Sequence, residues 1–297
     1  AVAIARIQNV FYLDFTTVTW LIFSFYIASA IAQPVMGRMS DLFGRRSIFL
    51  AGLVISFFSS LLAPLSPSFG WLILSRVVQS IGTSMMVAVG MAIVRIYMTE
   101  KQATALSVLS IFLSGAAAIG PFIGGMLLMW GDWSAIFIVN IPFVVASFLL
   151  AWRMIPKDGP DGSTRARKSI RKWLTTLDAL GILFFTAGVV ALLISLLTLK
   201  TSGHLSLWNG AVGTVGLAAL GMFIRHELRT ASPFIPLRAF VQYPAMTWVN
   251  VQFMLANLLF YALFFGLPSY LQLVRHVSAL HTGLLMLILG VSSLVVS

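Results

Sequence analysis

Charge is the property that this 297-residue chain has least of, because only 9% of its residues are Asp, Glu, Lys or Arg. A soluble globular domain has about 25% charged residues, so the composition excludes that class. Cysteine is absent, which excludes a disulfide framework, a thiolate metal site and a thiol nucleophile. Apolar residues are abundant instead, at 59% of the chain with a mean hydropathy of +0.98. We therefore predict an all-α polytopic membrane protein.

Acidic side chains are especially few, and none falls in the middle of an apolar run. The eight acids lie in loops or at predicted helix ends, at Asp14, Asp41, Glu100, Asp132, Asp158, Asp161, Asp178 and Glu227. No carboxylate in this sequence is therefore placed at mid-membrane depth to carry a proton. The chain also lacks a Gly-rich phosphate loop and a His pair at metal-ligand spacing. We expect no catalytic residues, no metal and no cofactor, which argues against a membrane enzyme.

Apolar runs of about 20 residues, the length that crosses a bilayer as a helix, follow one another along the chain. We predict spans at 16–36, 47–64, 69–94, 103–130, 134–152, 178–199, 206–225 and 244–272, and a further one from 281. Residues 1–5 are too short for a span, so we interpret them as the end of an earlier helix. The sequence thus predicts a fragment that is truncated in its first helix and its tenth.

Positive charge is distributed unevenly between the loops. The loops at 37–46, 95–102, 153–177 and 226–243, with their flanking residues, hold 15 of the 19 Lys and Arg residues. Cytoplasmic loops carry such an excess, so we assign these four to the cytoplasm and the protein to the cell (inner) membrane. The net charge of +11 then indicates cytoplasmic loops that face anionic lipid, rather than a surface that binds nucleic acid.

The densest charge cluster, residues 37–46, reads Gly-Arg-Met-Ser-Asp-Leu-Phe-Gly-Arg-Arg. We interpret it as a tight hairpin in which two glycines allow the turn. It resembles the signature loop between the second and third helices of the major facilitator superfamily, matched here by Gly37, Asp41, Gly44, Arg45 and Arg46.

Further stretches resemble the same family in the same order. Residues 76–82, Arg-Val-Val-Gln-Ser-Ile-Gly, resemble the fourth-helix motif of proton-coupled members, with Ser80 where Gly is usual. Residues 115–125 resemble the fifth-helix antiporter motif, and 133–142 resemble the start of helix six in the 14-helix drug:proton antiporter branch. The run from Asp178 resembles the opening of that branch's extra central helix pair.

This resemblance implies a major-facilitator-type helix bundle with five parts. They are an N-terminal six-helix half at 1–155, a basic cytoplasmic linker at 156–177, the extra pair at 178–227, a connector at 228–243, and the start of the C-terminal half at 244–297. The linker fits either an ordinary solvated loop or a segment in the headgroup layer. The first helix, in which many members carry an embedded Asp, is expected to be mostly missing from this sequence.

The resemblance also implies a conformational latch at the signature loop. Asp41 would pair with Arg45 or Arg46, Glu100 would offer a further acceptor, and Gly37 and Gly44 would shape the loop. These contacts would break as two halves rock about a midplane site. Simple anchoring by positive charge is the alternative.

Arg76 is the one Lys or Arg inside a predicted span, where an isolated charge must face a cavity or a partner. Gln79 and Thr83 lie on its helix face, so we predict a proton-coupling or cavity role for all three. The alternative is that Arg76 extends to the outer headgroups.

Small residues at a spacing of four in the fifth helix predict close helix packing, and Pro121 removes a backbone donor. We expect a hinge against the other half, or tight packing without motion, at Gly115, Gly120, Pro121, Gly124 and Gly125. Candidate substrate-cavity residues share helix faces, although amides in spans also join helices. They are Tyr26, Gln33, Asn250, Asn257 and Tyr261.

The function that the resemblance implies is secondary active transport, with protons exchanged for small amphipathic compounds or drugs by alternating access. The proton gradient would be the energy source, and the partners would be the substrate, protons and the lipid bilayer. A facilitator or symporter for sugars or organic anions is the alternative that Arg76 and the missing embedded acid keep open. A receptor or sensor is disfavoured, because no loop is large enough for a soluble ligand-binding domain.

Overall fold

The computed structural model describes residues 3–97, 100–130, 132–157, 178–202, 206–230, 233, 235 and 237–296, and every regular element within them is a helix. The helices are α1 (Ile4–Val10), α2 (Phe15–Phe43), α3 (Arg45–Leu62), α4 (Phe69–Tyr97), α5 (Gln102–Trp130), α6 (Ala135–Ile138), α7 (Asn140–Met154), α8 (Ala179–Ser202), α9 (Leu207–Glu227), α10 (Leu237–Gln242), α11 (Pro244–Leu273) and α12 (Ala279–Val296). A 3-10 turn, Ala63–Leu65, follows α3.

The membrane-protein prediction is confirmed by helix length and composition. Seven segments of the described residues are long and apolar enough to cross a bilayer, α6 and α7 together forming one of them. α5 contributes two shorter apolar stretches, Gln102–Leu113 and Ile119–Met129. The predicted linker at 156–177 lies outside the described residues except for 156 and 157, and the five-part division of the chain stays a prediction.

Helix starts follow from local hydrogen bonding. Asp14 caps α2, since its Oδ2 accepts a hydrogen bond from the Thr17 amide at 3.1 Å. Ser206 caps α9 in the same way, accepting from the Trp208 amide at 3.3 Å. Such side chains satisfy amides that the first helical turn leaves without partners.

The charged stretch 37–46 is not the tight hairpin that the sequence suggested. α2 continues through Gly37 to Phe43, and α3 begins at Arg45. The turn is made by Gly44 alone, with a φ of 93°. That backbone conformation is open to glycine and strained for other residues, so Gly44 is the glycine that the turn requires.

A glycine pair brings α3 and α4 into close contact. A Cβ on Gly52 would lie 2.7 Å from the Gly82 carbonyl oxygen, and a Cβ on Gly82 would lie 2.6 Å from Ser56 Oγ. Larger residues at either position would force the two helices apart. The glycine that ends the 76–82 motif is therefore a packing residue.

Two other helix pairs complete the architecture. α5 packs mainly against α12 rather than against its sequence neighbour α4, so it joins the two predicted halves. α8 and α9 form an antiparallel pair, and α8 also packs against α2. The end of the bundle where Gly44 separates α2 from α3 is called the signature end below. It also holds the end of α7 and the described residues of the predicted connector, which are 228–230, 233, 235 and 237–243.

Candidate functional site

Three arginines at the signature end make contacts that cross between elements or span the Gly44 turn. Arg45 Nη2 lies 2.9 Å from Asp41 Oδ1. Arg46 donates to the Trp152 carbonyl of α7, and Arg38 donates to the Pro233 carbonyl at 2.6 Å. The predicted Asp41–Arg45 pair is therefore present, while its role as a latch is untested by this geometry.

The remaining predicted latch residues differ from that arrangement. Glu100 is exposed and forms no ion pair within the part of the chain that the structure describes. Gly37 is helical, and a Cβ there would lie 4.0 Å from the Ala88 Cβ, which is ordinary contact between α2 and α4. Gly37 thus contributes packing rather than a turn.

Arg76 faces the bundle interior. Its guanidinium carbon lies 4.5 Å from the Phe25 ring centroid and 5.7 Å from that of Phe137, within the range of cation–π attraction. Its Nη1 donates to Gln79 Oε1 at 2.5 Å. Its Nε is buried and has no hydrogen-bond partner among the described residues. The side chain therefore points at protein rather than at headgroups, and one donor is left over.

Gln79 extends this polar contact into α3. Its side chain is only 7% exposed, and its Nε2 donates to Ser60 Oγ at 2.9 Å. Thr83 differs, because its hydroxyl donates to the Ser80 carbonyl of its own helix at 3.0 Å. Gln79 is thus a structural partner of Arg76, whereas the Thr83 hydroxyl is already satisfied.

Two predicted cavity residues from different predicted halves are in contact. The rings of Tyr26 on α2 and Tyr261 on α11 lie 5.8 Å apart at 67°, and Phe265 lies 6.2 Å from Tyr26. Tyr26 is eleven residues from the start of α2 and Tyr261 twelve from the end of α11, which places both about 16–18 Å from the end opposite the signature end. Both tyrosines remain about two-fifths exposed, at 43% and 41%. The aromatic contact therefore lies near mid-depth and is accessible.

The amides predicted to line the cavity make local bonds. Asn250 Nδ2 donates to the Met246 carbonyl at 2.7 Å, and Asn257 Nδ2 donates to the Phe253 carbonyl at 2.8 Å. Gln33 Nε2 donates to Ser29 Oγ at 2.9 Å on its own helix. Each of these amides thus bonds within its own helix and keeps its oxygen as an acceptor.

The close approach of α5 to α12 is made by a glycine that the sequence argument missed. A Cβ on Gly283 would lie 2.8 Å from the Pro121 carbonyl oxygen and 3.0 Å from the Phe122 Cα. A Cβ on Gly120 or Gly124 would meet no described atom within 4 Å. The prediction that the α5 repeat itself makes the close approach is thus wrong at these two glycines.

The other members of the predicted hinge lie on both sides of that contact. Gly115 is half-buried, while Pro121 and Gly125 are buried. Pro121 cannot donate a backbone hydrogen bond, yet α5 remains helical from Gln102 to Trp130. The weakened turn of α5 is therefore the turn that Gly283 contacts.

Comparison with known proteins agrees with this architecture. The Major Facilitator Superfamily matches residues 1–297. An uncharacterized MFS-type transporter of Bacillus subtilis, YwoD, is 46% identical over 297 residues, covering 100% of this chain and 64% of its own length. The methyl viologen resistance protein SmvA of Salmonella typhimurium is 30% identical, covering 92% of this chain and 53% of its own.

A further relative is the multidrug resistance protein B homolog of Mycobacterium tuberculosis, 29% identical over 283 residues, which cover 93% of this chain. The chain spans 64%, 53% and 50% of the lengths of these three relatives.

Proposed function

This chain belongs to the Major Facilitator Superfamily, and from that premise we propose that it acts in a proton-driven exporter of small amphipathic compounds. It would work in the cell membrane by alternating access, with the signature end facing the cytoplasm. Relatives named for multidrug resistance and methyl viologen resistance support an export role. The positive charge at the signature end supports the orientation.

The observation that carries the proposal is the environment of Arg76. A guanidinium inside a spanning helix is expensive unless protein groups surround it. Here Phe25 and Gln79 surround it, and one N–H lacks a partner in the described residues. A hydrogen-bond acceptor that is present in only part of the transport cycle, such as a titrating carboxylate or a substrate oxygen, would pair with the Arg76 Nε.

The contacts between the halves support alternating access. α5 and α12 meet closely at Pro121 and Gly283, where a weakened helical turn allows rocking. At the signature end, Arg38 joins α2 to the connector through the Pro233 carbonyl. Opening of that end to the cytoplasm would break this contact while α5 and α12 stay packed.

The aromatic contact at mid-depth supports a substrate with apolar or cationic surface. Tyr26 and Tyr261 belong to different halves, so a compound between them would contact both at once. Their rings offer π-faces together with hydroxyl groups. The exposed fraction of each ring leaves room for that contact.

A facilitator or symporter for organic anions is the second candidate function. The free Nε of Arg76 favours it, because a guanidinium binds a carboxylate directly and because no acid shares its depth in this sequence. In that case the substrate would take the place of the titrating carboxylate.

The test uses the full-length protein in everted membrane vesicles, with uptake of a labelled amphipathic cation driven by an imposed ΔpH. We expect uptake in wild type, loss of uptake in Arg76→Ala, and wild-type uptake in Arg6→Ala, an exposed arginine beside Asp132. Uptake that needs no ΔpH, or that Arg76→Ala leaves unchanged, would reject the proton-coupled reading. Uptake of an organic anion that requires Arg76 would select the second candidate.

A further inference from the structure

An apolar groove lies on the surface of the bundle between α3 and α7. It is open on one side and has a volume of about 210 Å³. Its lining residues are all apolar, and they are Leu53, Val54, Phe57, Phe58, Val144, Val145 and Phe148. Val54, Phe58 and Val145 are 40%, 54% and 41% exposed. These seven residues, called the α3–α7 groove below, therefore form a surface site rather than part of the helix-packed interior.

The groove lies at the depth of the acyl chains of one leaflet. At about 1.5 Å per residue, Leu53 and Phe58 lie about 12 Å and about 20 Å from the start of α3. Phe148 and Val144 lie about 9 Å and about 15 Å from the end of α7. Both of these helix ends are at the signature end. One leaflet supplies about 15 Å of the hydrocarbon core, so lipid chains rather than water surround the groove.

The shape and the lining of the groove fit a linear hydrocarbon chain. An ordered water needs about two to four polar partners, and the side chains that line the groove offer none. Pockets for drug-sized ligands have volumes of about 300–1,000 Å³ and a few polar groups that orient the ligand, and this groove has neither property. An acyl chain needs only apolar contacts along its length.

Positive charge at one end of the groove indicates which class of lipid binds there. The charged residues of α3 and α7 are Arg45, Arg46 and Arg153, and all three lie at the signature end. Arg45 pairs with Asp41. Arg153 is exposed and forms no ion pair within the part of the chain that the structure describes. Because basic sites between transmembrane helices bind the headgroups of anionic lipids, the charge favours a phospholipid with an acidic headgroup.

A hydrogen bond joins the two helices at the charged end of the groove. Arg46 of α3 donates to the Trp152 carbonyl of α7. Trp152 follows Phe148 by four residues, so it lies on the face of α7 that lines the groove. It is 59% exposed, and tryptophan is enriched at the boundary between hydrocarbon and headgroups. A chain in the groove therefore brings its headgroup to Trp152 and to the neighbouring Arg153.

We propose that the α3–α7 groove binds one acyl chain of an anionic phospholipid, whose headgroup lies beside Trp152 and pairs with Arg153. The chain packs against both helices, so it joins α3 to α7 at depths that the bond between Arg46 and Trp152 does not reach. This binding depends on the groove and its charge alone and does not rest on the proposed transport function.

The test is native mass spectrometry of the purified full-length protein with two phospholipids that have the same acyl chains. Phosphatidylglycerol is the anionic probe and phosphatidylcholine the zwitterionic probe. We expect wild type to retain one phosphatidylglycerol in preference to phosphatidylcholine. Val145→Trp, which fills the groove, should lose this lipid. Leu149→Trp, one turn further along α7 at an exposed position outside the lining, should retain it.

The headgroup contact is tested in the same measurement with a pair of arginine variants. Arg153→Gln should lower the preference for phosphatidylglycerol about fivefold, which is the contribution of one arginine near an anionic surface. Arg225→Gln removes an exposed arginine at the same end of α9, away from the groove, and should leave the preference unchanged.

Thermal unfolding gives a second measurement on the same variants. Phosphatidylglycerol should raise the unfolding temperature of wild type and Leu149→Trp but not that of Val145→Trp, because a ligand stabilises only the folded protein that binds it. Absence of retained phospholipid from wild type, full retention by Val145→Trp, or equal loss in Leu149→Trp would overturn the proposal. So would equal retention of the two phospholipids, or an unchanged preference in Arg153→Gln. A lipid-free dimer that Val145→Trp disrupts would assign the groove to a second copy of the chain instead.

Discussion

Replacing Gly283 by alanine is expected to obstruct transport through the α5–α12 contact. The added methyl group would lie 2.8 Å from the Pro121 carbonyl oxygen and 3.0 Å from the Phe122 Cα, both backbone atoms that no rotamer change can move. Since close-packed helices absorb little strain, α12 must shift from α5 by about 0.6 Å to restore ordinary contact. Overpacking of this kind costs about 1–3 kcal/mol.

The consequence for transport follows from where that strain falls. It acts on the turn of α5 that Pro121 has already weakened, so it should change the relative stability of the two access states. A shift of about 1.4 kcal/mol changes a two-state ratio about tenfold. We therefore expect the initial rate of substrate uptake in proteoliposomes to fall about tenfold in Gly283→Ala.

The matched control is Gly120→Ala, at the residue that directly precedes Pro121 on α5, where a Cβ would meet no described atom within 4 Å. Insertion, expression and thermal unfolding of both variants are measured alongside transport. Equal rates for Gly283→Ala and wild type would refute the reasoning, as would an equal loss in Gly120→Ala.

The other predictions concern packing, substrate contact, the signature loop and a helix cap. Gly82→Ala should lower stability in detergent by about 1–3 kcal/mol, since its Cβ would press on Ser56 and the Gly52 carbonyl. Gly90→Ala should leave stability unchanged, because a Cβ there would meet no described atom within 4 Å. Equal thermal unfolding of the two variants would contradict the packing role. Tyr261→Ala should raise the KM for an aromatic substrate by about two- to tenfold, and the exposed Tyr270→Ala should leave the KM unchanged. Asp41→Asn should change stability by less than about 1 kcal/mol, because the pair is largely exposed, yet reduce transport if the pair is a latch; unaltered transport would leave anchoring as its role. Hydrogen bonds from the Thr17 side chain and amide hold the pKa of Asp14 below its ordinary value of 3.8. This cap therefore stabilises α2 above a pH of 3.8, and the stabilisation is lost as the pH falls through the lowered pKa. Asp14→Asn should remove this pH dependence from acid unfolding curves.

The helices could be predicted from the sequence because each segment that crosses a bilayer must be an apolar helix of about the same length. Spans predicted at 47–64, 69–94 and 103–130 correspond to α3, α4 and α5 with shifts of a few residues. The signature loop was harder, because polar residues do not end a helix by themselves. Its first seven residues continue α2, and only the positive φ of Gly44 ends it.

The candidate site was predicted only where its residues are neighbours along one helix. Arg76 and Gln79 belong to one helix, so their spacing alone placed them together. Gly283 lies more than 160 residues beyond Pro121, and nothing in its local sequence indicates which backbone it will approach. The contact between Asp178 and His226 was missed because these residues lie at opposite ends of the predicted pair of spans, and only the antiparallel fold of α8 and α9 brings them together.

The central claim, that substrate and protons move in opposite directions through one site, is tested most directly by a pH measurement without an imposed ΔpH. Full-length protein in proteoliposomes is given a substrate gradient, and the lumenal pH is followed with a trapped indicator. The account predicts that outward substrate flow acidifies the lumen and that Arg76→Ala abolishes the change. Substrate flow with no change in lumenal pH would contradict exchange, and lumenal alkalinisation would show symport instead.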